Sequence, residues 1–175
     1  DLAADMYALA QELLAANGYV QYEISNWARR SIDDRPGEPA LACRHNLHYW
    51  RNEPYLGLGS SACSYDGARR YSRCADPSEY VRRVKAGEDT VEAVESIDLD
   101  LEMDETMMLG LRLAEGVTRG RFRARFGVEL GEVYATPIAR LEEDGLLVKD
   151  TAGIRVAPNK YLVGNRVFAE FLRGL

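Results

Sequence analysis

Both histidines of this chain lie three residues apart, in Cys43-Arg44-His45-Asn46-Leu47-His48-Tyr49-Trp50. Just beyond runs Tyr55-Leu56-Gly57-Leu58-Gly59-Ser60-Ser61-Ala62-Cys63-Ser64, so this short region also holds two of the three cysteines and one of the two tryptophans. Imidazole and thiolate ligate metals, and aromatic rings flank planar ligands. On a helix His45 lies beside its i+3 and i+4 neighbours His48 and Tyr49, which gives the three a common face. Nothing here resembles a hydrolase triad, because no Gly-x-Ser-x-Gly nucleophile motif accompanies the histidines. Cys43, Cys63 and Cys74 are 20 and 11 residues apart, which matches no iron–sulfur spacing.

The elements that must position these residues follow from periodicity. Leu2, Met6, Leu9, Leu13 and Leu14 recur at helical spacing, and Asn17-Gly18 supplies a stop. Residues 19–25 read as a strand, giving the helix–turn–strand step of a parallel α/β architecture. Residues 29–39 are charged and hold two prolines, which predicts a surface loop. Residues 45–50 are predicted to form a short helix. Residues 55–65 are predicted to form a second buried strand, with Gly57 and Gly59 leaving room for a ligand or another backbone. Asp66-Gly67 favours a tight hairpin turn. Asp76 suits a helix cap, with Pro77 in the first turn, Glu79 reaching back to the cap and Gly87 as the end.

Residues 88–104 are acidic and read as a surface connector. A helix bearing Met107, Met108, Leu111 and Leu113 then runs to Gly116, and a second covers residues 118–126. A third spans residues 130–144, with Pro137 kinking or breaking it. Residues 146–149 and 154–156 form a hairpin about Gly153, and a closing helix covers residues 163–172. Three helices followed by a two-stranded wing is the winged-helix order. The expected organisation is therefore 1–87, an acidic connector at 88–100, and a small domain at 101–175.

Charge and composition narrow the function classes. The net charge of −6 is uneven: residues 88–115 carry −9 and residues 116–175 carry +3. Neither region offers the basic footprint of a nucleic-acid binder, and no DNA partner is expected. No apolar run approaches the roughly 18 residues of a membrane span, and no leader pattern opens the chain. Three cysteines do not make a disulfide framework, which points to a reducing, cytoplasmic setting. Asp1 falls inside a helical pattern, so an upstream part of the protein is expected.

The runs Tyr22-Glu23-Ile24-Ser25-Asn26-Trp27-Ala28, Arg44-His45-Asn46-Leu47-His48-Tyr49-Trp50 and Gly57-Leu58-Gly59-Ser60-Ser61-Ala62 resemble one known family. It is that of the radical-SAM proteins related to oxygen-independent coproporphyrinogen III oxidase, and within it the HemW-type heme chaperones. Leu141-Glu142-Glu143-Asp144-Gly145-Leu146-Leu147 resembles the family's C-terminal domain more weakly. The His-Asn-x-x-Tyr-Trp run is the specific piece, since it separates chaperones from true oxidases. The resemblance implies an α/β fold: the C-terminal strands and helices of a partial radical-SAM barrel, then a small winged-helix-like α+β domain. It also implies heme, S-adenosyl-L-methionine and a 4Fe-4S cluster in the full-length protein, with heme-accepting apoproteins as partners. The family's Cys-x3-Cys-x2-Cys cluster motif is absent from this chain, so radical chemistry is not expected of it alone.

On that resemblance His45 is the candidate axial heme ligand, with Asn46, Tyr49 and Trp50 beside it and His48 and Cys43 as rivals. His45 and His48 on one face do not reach opposite sides of one iron, so at most one is axial. Gly57, Gly59 and Cys63 fall where related enzymes let backbone approach the adenosyl cofactor, or else the glycines serve dense packing. Arg119, Arg121, Arg123 and Arg125 either contact a phosphate or heme propionate or form a solvated helix face. A true porphyrinogen decarboxylase and a winged-helix nucleic-acid module are the alternatives.

Overall fold

The protein is described from a computed structural model covering residues 2–35 and 38–173. Helix α1 (Leu2–Ala16) runs into Gly18, where a φ of +80° makes the turn toward strand β1 (Tyr19–Glu23). The Tyr7 hydroxyl of α1 donates to the Ile24 carbonyl at 2.8 Å. The opposite stripe, Leu2, Met6, Leu9 and Leu13, is more than half exposed at every position. Strand β1 does not start a parallel crossover. It turns at once into β2 (Asn26–Arg29) and pairs with it antiparallel. A two-residue connection is too short for a crossover, and every ladder among the described residues is antiparallel.

The described residues between β2 and α2 (Arg44–Trp50), the predicted histidine helix, form no further helix or strand beyond an isolated Arg35–Glu38 bridge, and residues 36–37 of the loop expected at 29–39 lie outside the described residues. Residues 55–65 do not form one strand. Tyr55 makes an isolated bridge with Tyr65, residues 56–62 loop out, and only β3 (Cys63–Tyr65) is regular. The loop crosses its own chain: a Cβ on Gly57 would lie 2.1 Å from the Cys63 carbonyl oxygen. Strand β4 (Arg69–Arg73) returns beside β3 across a turn in which the Asp66 carboxylate accepts from the Ala68 and Arg69 amides. Helix α3 (Pro77–Ala86) begins at Asp76, which accepts from the Glu79 amide at 2.7 Å, and ends at left-handed Gly87. Such a cap contributes about 1 kcal/mol. The Glu79 carboxylate holds Arg82 and Arg83 instead of reaching back to the cap.

The acidic stretch contains a strand, β5 (Val91–Ser96), at the edge of a β3-β4-β5 sheet. Almost all of it is exposed, so its side chains carry none of the alternation that marks a strand with one buried face. Helix α4 (Leu99–Gly110), capped by Asp98, stops well before Gly116. A short strand β6 (Val117–Thr118), unexpected from sequence, precedes α5 (Arg119–Phe126), which Thr118 caps and Gly127 closes. The predicted third helix is two, α6 (Leu130–Val133) and α7 (Ala135–Glu143). Pro137 cannot follow a helical carbonyl four residues earlier, so the break falls at Val133 and Tyr134 and the proline sits in the first turn of α7. Strands β7 (Leu147–Lys149) and β8 (Gly153–Val156) form the hairpin. Its turn lies before Gly153, at Asp150, whose carboxylate accepts from the Ala152 and Gly153 amides. Strand β6 completes a β6-β8-β7 sheet. The closing helix expected at 163–172 is the shorter α8 (Gly164–Ala169), preceded by a 3-10 turn (Pro158–Val163).

The larger core packs α4, α5, α7 and α8 on this second sheet through Met107, Leu111, Phe122, Tyr134, Ile154 and Phe168. Burying each such side chain stabilises by about 1.5–3 kcal/mol. A smaller core gathers Tyr22, Ala28, Ala42, Leu47 and Leu113 around Trp50. Glu23, fully buried, meets Arg112 at 3.0 Å and ties β1 to the segment after α4. Among the described residues no helix is long and apolar enough to cross a membrane.

Candidate functional site

Helix α2 separates its side chains by direction. Leu47 is buried and Trp50 half-buried against the smaller core, where the Arg112 guanidinium lies 4.5 Å over the indole. His45 and Tyr49 face outward and meet edge to face at 4.9 Å. Trp50 is therefore not brought to the His45 face. Among the described residues its Nε1 is buried without a hydrogen-bond partner.

The two histidines differ in what holds them. His48 Nδ1 meets the Glu53 carboxylate at 2.7 Å, and Nε2 contacts the Pro54 carbonyl, so both nitrogens are occupied. His45 is exposed, and its ring contact is with Tyr49. Among the described residues it forms no hydrogen bond or ion pair, which leaves its nitrogens open to a ligand. Asn46 turns inward, its amide 3.4 Å from the Tyr22 hydroxyl. Cys43, at the N-cap of α2, is an exposed free thiol.

Tyr49 is itself braced. Tyr55 packs on it at 4.7 Å, and Tyr65 follows Tyr55 at 6.4 Å, so the rings form a ladder from His45 to strand β3. Tyr55 is fixed by paired backbone hydrogen bonds with Tyr65 at 2.8 and 2.9 Å. Burial, and then the neighbouring Cys63 thiol, push the Tyr55 phenol above its ordinary value. The contact of Tyr55 with Tyr49 escaped the sequence reading because the two are six positions apart, a spacing that signals no shared face. Only pairing with Tyr65 brings Tyr55 there.

Gly57 is explained by the crossing at Cys63, while Gly59 (φ +106°) faces open space and needs glycine for its backbone conformation. Cys63 is half-buried, with its sulfur 3.9 Å from the Ser72 hydroxyl. The three cysteines are free, and no group of three or more metal-ligating side chains occurs among the described residues. They do not fit a 4Fe-4S cluster. The arginines of α5 are paired: Arg119 and Arg123 with Glu129, Arg121 with Glu115, and Arg125 with Glu102.

Residues 97–160 match the HemN C-terminal domain family. Along 98% of its length the chain is 33% identical to the heme chaperone HemW of Lactococcus lactis, and along 97% it is 30% identical to that of Bacillus subtilis. In each case it spans 42% of the relative, or about two fifths. The fold resembles coproporphyrinogen III oxidase (HemN) from Escherichia coli, a radical SAM enzyme, with a TM-score of 0.70 at 18% identity. That likeness covers 98% of this chain and 41% of the enzyme. Residues 97–160 thus match the HemN C-terminal domain family, and along nearly its whole length the chain is similar to heme chaperones of the HemW type.

Proposed function

We propose that this chain is the heme-holding part of a heme chaperone, with His45 the axial ligand. The observation that carries the reading is the contrast between the two histidines: His48 is spent on Glu53 and Pro54, while His45 stands exposed beside a braced aromatic ring. When bound, heme supplies an iron that accepts a nitrogen lone pair and a flat macrocycle that accepts aromatic contact. His45 offers the lone pair. Tyr49, held by Tyr55, orients the imidazole and shelters one side of it from water. An exposed site of this kind suits a carrier that must release its cargo to acceptor apoproteins.

The finer architecture belongs to the same proposal. Residues 1–87 belong to a partial radical-SAM barrel and 101–175 are winged-helix-like, with the stretch between them joined to the first part through β5. S-adenosyl-L-methionine and the cluster are assigned to the longer protein, since these cysteines do not fit the cluster. A heme titration followed by the Soret band tests the ligand. His45→Ala is expected to shift and weaken the band, and His48→Ala to leave its position unchanged. An unaltered spectrum in His45→Ala would remove His45 as the ligand.

A further inference from the structure

Helix α1 is fifteen residues long and buries none of them. One side is held by the rest of the chain: Tyr7 packs on the larger core and donates to the Ile24 carbonyl, and the Gln11 amide donates to Gln21 at 2.9 Å. The other side carries Leu2, Met6, Leu9 and Leu13, spaced four, three and four residues apart. At 100° per residue these four fall within about 60° of the helix circumference, one above the other. They are between 54% and 75% exposed. A single exposed leucine carries no message, but a helix of this length draws its stability from packing an apolar stripe. This stripe is therefore a contact surface.

Area and charge both argue against a second copy of the chain as its cover. Four side chains offer a patch of a few hundred Å², whereas an interface between separate chains takes roughly 800 Å² from each partner. The charged residues of α1 are Asp5 and Glu12, both acids. Two copies meeting stripe to stripe would bring acid toward acid at the rim, which opposes association. A segment of the same polypeptide needs far less area, because its tether gives it a high effective concentration. The chain spans 42% of each HemW relative, and the family domain it matches is a C-terminal one. We infer that the Leu2-Met6-Leu9-Leu13 stripe seats the N-terminal portion of the full-length protein, which lays an apolar surface along α1. The inference rests on the length of the relatives and is independent of heme.

The test uses the full-length protein, with single cysteines introduced as Met6→Cys and Leu13→Cys on the stripe and Glu142→Cys on the exposed side of α7 as the control. Maleimide labelling, with each labelled site located by peptide mass mapping, is expected to run roughly tenfold or more slower at the two stripe positions than at the control. Equal rates overturn the assignment. So does protection that disappears on dilution while size-exclusion chromatography shows a dimer falling to a monomer, since the cover is then a second copy. Because a cysteine loosens the contact it reports on, a diazirine-bearing leucine analogue at position 9 gives a second route. Its crosslink is expected within the N-terminal portion of the same molecule. A crosslink to another copy, or none, overturns the assignment. No heme enters either experiment, so the loss of His45 as a ligand would leave this surface standing.

Discussion

The Tyr134 hydroxyl donates a 2.6 Å hydrogen bond to the carboxylate of Asp104, both side chains lying in the interior between α4 and the α6–α7 junction. The same carboxylate accepts from the Arg173 backbone amide at 2.8 Å and from its guanidinium at 2.6 Å. Burial, and then Asp104, raise the Tyr134 phenol above its ordinary value.

A phenol with a raised value in the folded state contributes stability that is complete below about pH 10 and is lost as pH rises, because only the unfolded phenol ionises there. Tyr134→Phe is expected to cost about 1–3 kcal/mol at neutral pH. It should also remove up to about 1.4 kcal/mol per pH unit from the alkaline decline. Urea unfolding of both proteins between pH 7 and 11 measures the two effects.

The Glu23–Arg112 pair joins β1 to the segment after α4 with a carboxylate that has no exposure. Arg112→Met should destabilise by about 3–5 kcal/mol, since it strands a buried charge. Adding Glu23→Gln should recover part of that loss. Tryptophan emission offers a second readout, because the guanidinium covers Trp50.

Gly57→Ala would press a methyl group against the Cys63 backbone and should cost about 1–3 kcal/mol. Gly131, in α6, has open space around its missing side chain, so Gly131→Ala should gain about 0.4–1 kcal/mol. Denaturant midpoints of the two variants should move in opposite directions.

These predictions also mark what was legible from sequence. The features carried by adjacent residues were readable: the Asp76 cap, the stops at Gly18 and Gly87, the α2 helix and the face shared by His45 and Tyr49. What depended on distant partners was not. Strand β5 looked like a connector because it is solvated on both sides and defined only by its bonds to β4. Residues 55–65 looked like a strand because the pattern does not reveal that the chain crosses itself at Gly57. Trp50 was expected beside His45 together with Tyr49, because adjacency in sequence hides the roughly 100° that separates neighbours on a helix.

The Glu79 carboxyl is held down to about 2 by the Arg82 and Arg83 guanidinium groups. The stability it lends is present above the ordinary carboxylate range and fades as pH falls toward 2. A carbon-detected NMR titration should show this low midpoint, with Arg82→Ala and Arg83→Ala each moving it upward. A midpoint in the ordinary range would remove the ion pairs from α3 in solution.

Glu38, Arg51, Glu115 and Arg121 contact one another in alternation, at 2.8, 3.6, 2.8 and 3.7 Å. They come from the loop before α2, the end of α2, the turn before β6 and helix α5. The ring balances two positive and two negative charges, so a change at any one position unsettles three segments and leaves an excess of one sign. Only a matched exchange keeps the balance. Over evolutionary time these four positions are expected to covary as a set.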